Sequence, residues 1–154
     1  MNPQAALLKA NIDADIREIE GLYQRLSVYA DTLTNTEQVI LAGYYLHNLY
    51  TAFENICVNV ARTFENQIDD RSQWHSVLLK RMTLDVEGLR SHLFSQETYI
   101  CLDELRRFRD VFRNAYTIAL DPQRTSLVVE KAQHLEELYK PELEQFKAFL
   151  DSLM

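Results

Sequence analysis

The sequence predicts an all-α fold, an up-and-down bundle of four long helices with one additional short helix. Two observations lead to this prediction. Glycine and proline number only three each in 154 residues, where ordinary usage gives roughly seven to ten of each, and apolar residues recur three and four positions apart over long stretches. Few turn formers mean few turns, which favours long helices over many short strands. Because a hydrophobic content of 47% is enough for one core, residues 1–154 are predicted to form a single domain.

The first two helices are predicted from residue 3 to about 32 and from about 36 to 68. Asn2 and Pro3 supply a cap and a first-turn proline for the first helix, and Thr34 with Glu37 fits a capping box for the second. The opposite face of the second helix is polar and largely uncharged, which indicates a contact surface. Its members are Asn48, Thr51, Asn55, Asn59 and Arg62.

The middle of the chain is predicted to hold a short helix and an irregular segment. The stretch Asp69 to Ser72 breaks the periodicity and supplies a cap for a helix over 72–83. Residues 83–94, which include Gly88, show no helical pattern and are predicted to be irregular.

Two further long helices are predicted in the second half of the chain. Ser95 caps the fourth helix, which is expected to end at Asp121 and Pro122, and this pair also starts the last helix. Pro141 interrupts the last helical pattern, so a kink or break is expected near Lys140.

Composition narrows the classes of function. A formal charge of −7 argues against non-specific coating of nucleic acid, which needs an excess of Lys and Arg over a surface. Cys57 and Cys101 lie in apolar stretches and are predicted to be buried thiols in a reducing compartment.

No basic leader and no apolar run of about 18 residues is present, which predicts a cytoplasmic protein without membrane contact. The chain has no E-x-x-H pattern for a bundle metal site, and we expect neither a metal nor a cofactor.

A row of cationic and aromatic side chains on the fourth helix is the main candidate for function. Arg106, Arg109, Arg113 and Tyr116 are offset by three, four and three residues, so they share one helical face. This face lies beside the apolar row of the same helix. The spacing by itself favours a solvated basic stripe, and the alternative is a row that borders a groove or a subunit contact.

The stretch from Arg109 to Tyr116 resembles the R-x4-H-x-Y motif of HepT-like toxins in the HEPN superfamily, with Asn114 in the histidine position. Segments on either side resemble one HepT-like branch in the same order, so the resemblance covers about residues 40–121. These segments are Tyr45–Tyr50, Phe53–Ile56, Trp74–His75, Leu78–Leu79 and Leu120–Asp121.

The resemblance implies an enzyme that cleaves RNA without metal as a homodimer, in which the motif helices of two subunits form one composite cleft. It also implies a partner, a minimal nucleotidyltransferase antitoxin that in some systems transfers AMP to the motif tyrosine. Arg109 would then contact the scissile phosphate, with Arg106 and Arg113 as further phosphate-binding residues. Tyr116 would be the modified hydroxyl, and Asn114 would stand at the general-base position.

Asn114 is the departure that matters for activity, because a carboxamide cannot take a proton from a ribose 2′-hydroxyl as histidine can. General acid–base catalysis contributes about 10²- to 10⁴-fold in rate, so the chain is expected to be weakened by that order or inactive. The rival hypotheses are a non-catalytic HEPN module that binds RNA or nucleotide and the nucleotidyltransferase, and a helical scaffold whose arginines form surface ion pairs.

Three residues are candidates for supporting this site. Asp110 stands four positions before Asn114 and can hold its amide. The pattern favours a hydrogen-bonded structural histidine at position 47 and a capping or packing role for His75. The alternative is that one of them approaches the fourth helix and replaces the missing base. On a straight helix Arg109 and Asn114 would point about 140° apart, so a subunit contact or a distorted helix is expected to bring them together.

Overall fold

The computed structural model describes residues 2–29, 33–65, 74–114 and 120–154, and in these ranges the chain forms five α-helices and no strand. The helices are α1 (Pro3–Leu26), α2 (Thr36–Phe64), α3 (Trp74–Arg81), α4 (Gln96–Arg113) and α5 (Pro122–Ser152). A short 3-10 turn, Ser27–Tyr29, follows α1. The predicted all-α class is confirmed. None of the helices described is long and apolar enough to cross a membrane.

The four long helices form a ring in the order α1, α2, α4, α5, and α3 packs against α2 and α4. Ion pairs between α1 and α5 show that these helices run in opposite directions. Lys9 pairs with Asp151 at 2.7 Å, whereas Glu20 pairs with Lys140 at 3.3 Å. The predicted apolar rows face one common core, as the buried fraction of their side chains shows. Its largest fully buried side chains include Ile12 and Ile19 of α1, Leu46, Leu49 and Phe53 of α2, Phe108 of α4 and Phe146 of α5.

The amino-terminal cap of α2 differs from the predicted one. Asn35 is the cap, and its side-chain oxygen accepts a hydrogen bond from the Gln38 backbone N–H at 2.8 Å. The Gln38 side chain reaches back to the backbone N–H of Thr34 at 2.8 Å. The capping box is therefore shifted by one residue, because asparagine caps a helix at least as well as threonine. The predicted cap Asp69 to Ser72 of α3 lies outside the described residues.

Helix α4 ends at Arg113, earlier than the predicted end at Asp121. The Asn114 side-chain amide donates to the backbone oxygen of Asp110 at 2.8 Å, while the Asn114 backbone N–H donates to Val111 at 3.2 Å. In a continuing α-helix the backbone N–H of Asn114 would bond to Asp110. The Asn114 side-chain amide thus makes the hydrogen bond to Asp110 that the Asn114 backbone N–H would make in a continuing helix. Asparagine side chains end helices by competing with the backbone in this way.

Helix α5 runs without interruption through Pro141, so the predicted break near Lys140 is wrong. An interior proline removes one hydrogen bond and costs about 3 kcal/mol. Tyr139 and Leu143, on either side of Pro141, are both buried in the core. We attribute the continuity of the helix to this packing, which holds both halves against the core and offsets the local cost.

The segment between α3 and α4 is irregular, as predicted, and is built around a buried arginine. Gly88 adopts a positive φ of 77° in a turn between Val86 and Arg90. The Arg90 side chain is fully buried, pairs with Glu65 of α2 at 2.7 Å, and donates to the backbone oxygen of Leu84 at 2.9 Å. A buried charge with a carboxylate partner fixes this segment onto the bundle.

Candidate functional site

The arginines of α4 lie in different electrostatic surroundings. Arg106 is half-buried and donates from Nε to Asp103 at 2.9 Å, with Asp110 3.8 Å from its Nη1. Arg107 is exposed and also pairs with Asp103, at 3.0 Å. These two cations are therefore largely neutralised by carboxylates of their own helix.

Arg109 differs from them because its guanidinium turns toward α2. Its Nε and Nη1 atoms are buried and have no hydrogen-bond partner among the residues that the structure describes. Its Cζ lies 5.8 Å from the ring centroid of Tyr50, within the range of a cation–π contact. A buried donor without an acceptor costs about 1–3 kcal/mol, and more when it is charged. The site therefore favours an incoming anion that accepts these two hydrogen bonds.

A hydrogen-bond network on the α2 side fixes the ring that faces Arg109. The Tyr50 hydroxyl donates to Glu54 Oε2 at 2.8 Å, and His75 Nδ1 lies 2.6 Å from the same oxygen. The Trp74 ring packs on His75 with centroids 3.7 Å apart. Burial, followed by the Glu54 charge, raises the pKa of Tyr50 far above its usual range, so its hydroxyl stays protonated as a donor. Three elements thus hold Tyr50 in place.

His47 lies one turn before Tyr50 on α2 and packs against the end of α4. Its ring centroid is 5.7 Å from that of Phe112. The close approach depends on Gly43, since a Cβ at that position would lie 2.7 Å from a ring carbon of Phe112. Burial lowers the pKa of His47, and the charges of Arg109 and Arg113 add to this effect, while the side chain of Asn48 opposes it.

The predicted site residues are only partly brought together. Three of them lie at the contact between α2 and α4, namely Arg109, His47 and His75. His75 belongs to this group because it contacts Glu54 of α2. Arg113 and Asn114 are exposed at the end of α4, and Tyr116 lies outside the described residues. Because Asn114 lies after the end of α4, the angle of about 140° between Arg109 and Asn114 that a straight helix predicts does not apply.

The supporting contacts differ in detail from those expected. Asp110 does hold the Asn114 amide, but through its backbone oxygen rather than its carboxylate. The side chain of Asn48 lies 3.5 Å from the Nδ1 atom of His47. Glu54 contacts Tyr50 and His75. Tyr50 and Glu54 were not predicted as site residues, although their spacing of four residues on one face of α2 is a usable signal.

The other candidate groups lie elsewhere. Cys57 and Cys101 are free and buried, as predicted, and burial raises the pKa of both thiols. Among the described residues no three His, Cys, Asp or Glu side chains are grouped so that they could hold a metal ion. The polar face of α2 borders a cavity of about 480 Å³ beside α1, which Asn48, Thr51 and Asn55 line.

Comparison with known proteins agrees with the residue pattern. A family model described as HepT-like protein matches residues 41–150. Searches of curated proteins and of solved structures gave no match. The matched range extends from α2 to the last turns of α5 and includes every described residue of the site. The chain therefore belongs to the HepT-like proteins of the HEPN superfamily.

Proposed function

We propose that this protein is the RNA-cleaving component of a toxin–antitoxin pair, a metal-independent endoribonuclease whose phosphate-binding residue is Arg109. One observation carries the proposal, namely that the two buried donors Nε and Nη1 of Arg109 have no acceptor in the described part of the chain. A planar guanidinium suits phosphate oxygens, and a preorganised cation stabilises the charge of a phosphoryl transition state. Arg113 is exposed in the next turn and supplies a second contact.

The same proposal includes a homodimer in which the α4 helices of two subunits meet. Large apolar side chains are exposed around Phe112, at the carboxyl end of α4 and on the adjoining part of α2. The exposed fractions are 44% for Val111, 51% for Ile40 and 52% for Tyr44. Clustered exposed apolar residues favour a protein interface. Light scattering on the native chain and on Val111→Glu tests the dimer, which we expect the substitution to dissociate.

A minimal nucleotidyltransferase is the proposed antitoxin, and Tyr116 is the proposed acceptor of AMP. Tyr116 stands three positions after Arg113 in the sequence, and its modification would add a charged, bulky group to this part of the chain. Mass spectrometry of the chain co-expressed with the nucleotidyltransferase tests this step. A Tyr116 that stays unmodified in the presence of active enzyme and ATP would exclude AMP transfer.

RNA binding and cleavage in EDTA test the proposed activity. Arg109→Ala is expected to weaken the binding of single-stranded RNA roughly 10- to 100-fold, because hydrogen bonds to charged groups contribute about 1.5–3 kcal/mol. Arg107→Ala is the matched control, since it removes the same charge from the same helix at an exposed, ion-paired position. Equal losses in both variants would mean that only net charge matters, and would refute a specific site.

A non-catalytic RNA-binding module is the second candidate, and the state of Asn114 favours it. The Asn114 amide is engaged at the helix end and has no group that can take a proton. In this case the native chain binds RNA through Arg109 but does not cleave it, and Asn114→His gains activity. Cleavage by the native chain that requires Arg109 would exclude this candidate.

A further inference from the structure

We propose that His47 of α2 is the proton-transfer residue of this site and takes the 2′-hydroxyl proton that Asn114 cannot take. The inference rests on the ribonuclease function proposed above. His47 packs against Phe112 in the last turn of α4, with ring centroids 5.7 Å apart. One turn along α2, Tyr50 contacts the Arg109 guanidinium at 5.8 Å. The imidazole of His47 and the guanidinium of Arg109 therefore lie at the same contact between α2 and α4, about one helical turn apart along each helix.

Among the described residues, His47 is the histidine that has no carboxylate partner. The other three each lie within hydrogen-bond distance of a carboxylate: His75 of Glu54 at 2.6 Å, His92 of Asp85 at 2.8 Å, and His134 of Glu97 at 2.8 Å. The Nδ1 atom of His47 has only a long contact to Asn48, 3.5 Å. No described residue bonds to its Nε2, and the side chain is half-buried rather than enclosed. Nε2 is thus available to a substrate.

The electrostatic surroundings keep His47 neutral and therefore basic at neutral pH. Burial lowers its pKa below the ordinary value of 6.5, and Arg109 and Arg113 of α4 lower it further. On α2 its polar neighbour is the uncharged Asn48, which acts in the opposite direction. A phosphodiester bound to Arg109 and Arg113 would offset their positive charges. The pKa of His47 would then rise, which makes His47 a stronger base while the substrate is bound.

The reaction then follows metal-independent RNA cleavage by the neighbouring 2′-oxygen. His47 Nε2 takes the proton of the 2′-hydroxyl, and the 2′-oxygen forms a bond to phosphorus while Arg109 holds the non-bridging oxygens. The bond from phosphorus to the 5′-oxygen breaks, and that oxygen takes a proton from water. The products are a 2′,3′-cyclic phosphate and a 5′-hydroxyl, and the protonated imidazole returns its proton to solvent.

Cleavage kinetics with matched histidine variants test the proposal. We expect His47→Asn to lower the rate of metal-free RNA cleavage by about 10²- to 10⁴-fold, the usual contribution of acid–base catalysis, while RNA affinity and thermal stability change little. His134→Asn is the control, because His134 is an exposed histidine paired with Glu97. At RNA concentrations well below saturation, where the rate reports the pKa of the free enzyme, the native rate is expected to fall at acidic pH with a midpoint below 6.5, the ordinary histidine value.

A second measurement does not require turnover. Nuclear magnetic resonance titration of the native chain, with and without a 2′-O-methyl RNA that cannot be cleaved, is expected to show an upward shift of the His47 pKa on binding. Cleavage that persists unchanged in His47→Asn, or RNA binding that leaves the His47 pKa unmoved, would overturn the role of His47 alone. A native chain that binds RNA but never cleaves it would overturn the ribonuclease function itself, and this inference with it.

Discussion

Replacing Gly43 by alanine tests whether the contact between α2 and α4 is as close as the structure indicates. A Cβ at this position would lie 2.7 and 2.8 Å from two ring carbons of Phe112 and 3.4 Å from the Leu120 side chain. Ordinary contact between carbon atoms is about 3.5–4.0 Å, so the ring would have to move by roughly 1 Å. Phe112 cannot move freely, because its ring packs on those of His47 and Phe108.

Two effects of opposite sign set the expected change in the free energy of unfolding. Alanine stabilises a helix interior by about 0.5–1 kcal/mol relative to glycine. Overpacking a well-packed contact costs typically about 1–3 kcal/mol. For Gly43→Ala we therefore expect a net destabilisation of up to about 2 kcal/mol, from the difference between these two effects.

Gly21 provides a matched control, since it lies in the interior of α1 and has no atom within 4 Å of the position of an added Cβ. Gly21→Ala is expected to stabilise the protein by the full helix-propensity gain of about 0.5–1 kcal/mol. Urea denaturation of both variants gives the comparison. Equal stabilisation by the two substitutions would show that Phe112 does not press on Gly43, and the placement of His47 beside α4 would lose its support.

Three further predictions concern buried charges and stability. Arg90→Ala is expected to cost about 1.5–3 kcal/mol, because Glu65 loses its nearer cation while Arg81 stays at 3.5 Å and the Leu84 backbone oxygen loses its donor, and a loss below 1 kcal/mol in urea denaturation would contradict the structural role. Glu54→Leu is expected to cost about 1–3 kcal/mol because the Tyr50 hydroxyl loses its acceptor; an unchanged denaturation midpoint would argue against the network. Burial raises the pKa of Asp15, so its contribution to stability is present at acidic pH and is lost as the pH rises through the folded-state pKa. Asp15→Asn should therefore gain stability relative to the native chain between pH 3 and 7, and an equal difference at both pH values would refute the shift.

The helices were predictable because their causes are local. The apolar rows with spacings of three and four residues, the Ser95 cap and the shortage of glycine and proline each act within a few residues along the chain. The errors arose where two local causes compete. Asn35 and Thr34 are both suitable caps, and Asn114 ends α4 although the apolar pattern continues past it. At Pro141 the core packing outweighs the local rule.

The sequence by itself determined the all-α class, the order of the helices and the cationic row of α4. Only the tertiary structure decided which side chains of different helices meet. Arg109 contacts Tyr50, both Tyr50 and His75 contact Glu54, and His47 packs on Phe112. The physical reason is that periodicity fixes which face of a helix is buried, whereas the rotation and register of one helix against another depend on the side chains at their contact. In this protein Gly43 permits the close contact between α2 and α4. No pattern within α2 alone predicts that Phe112 of α4 packs against this glycine.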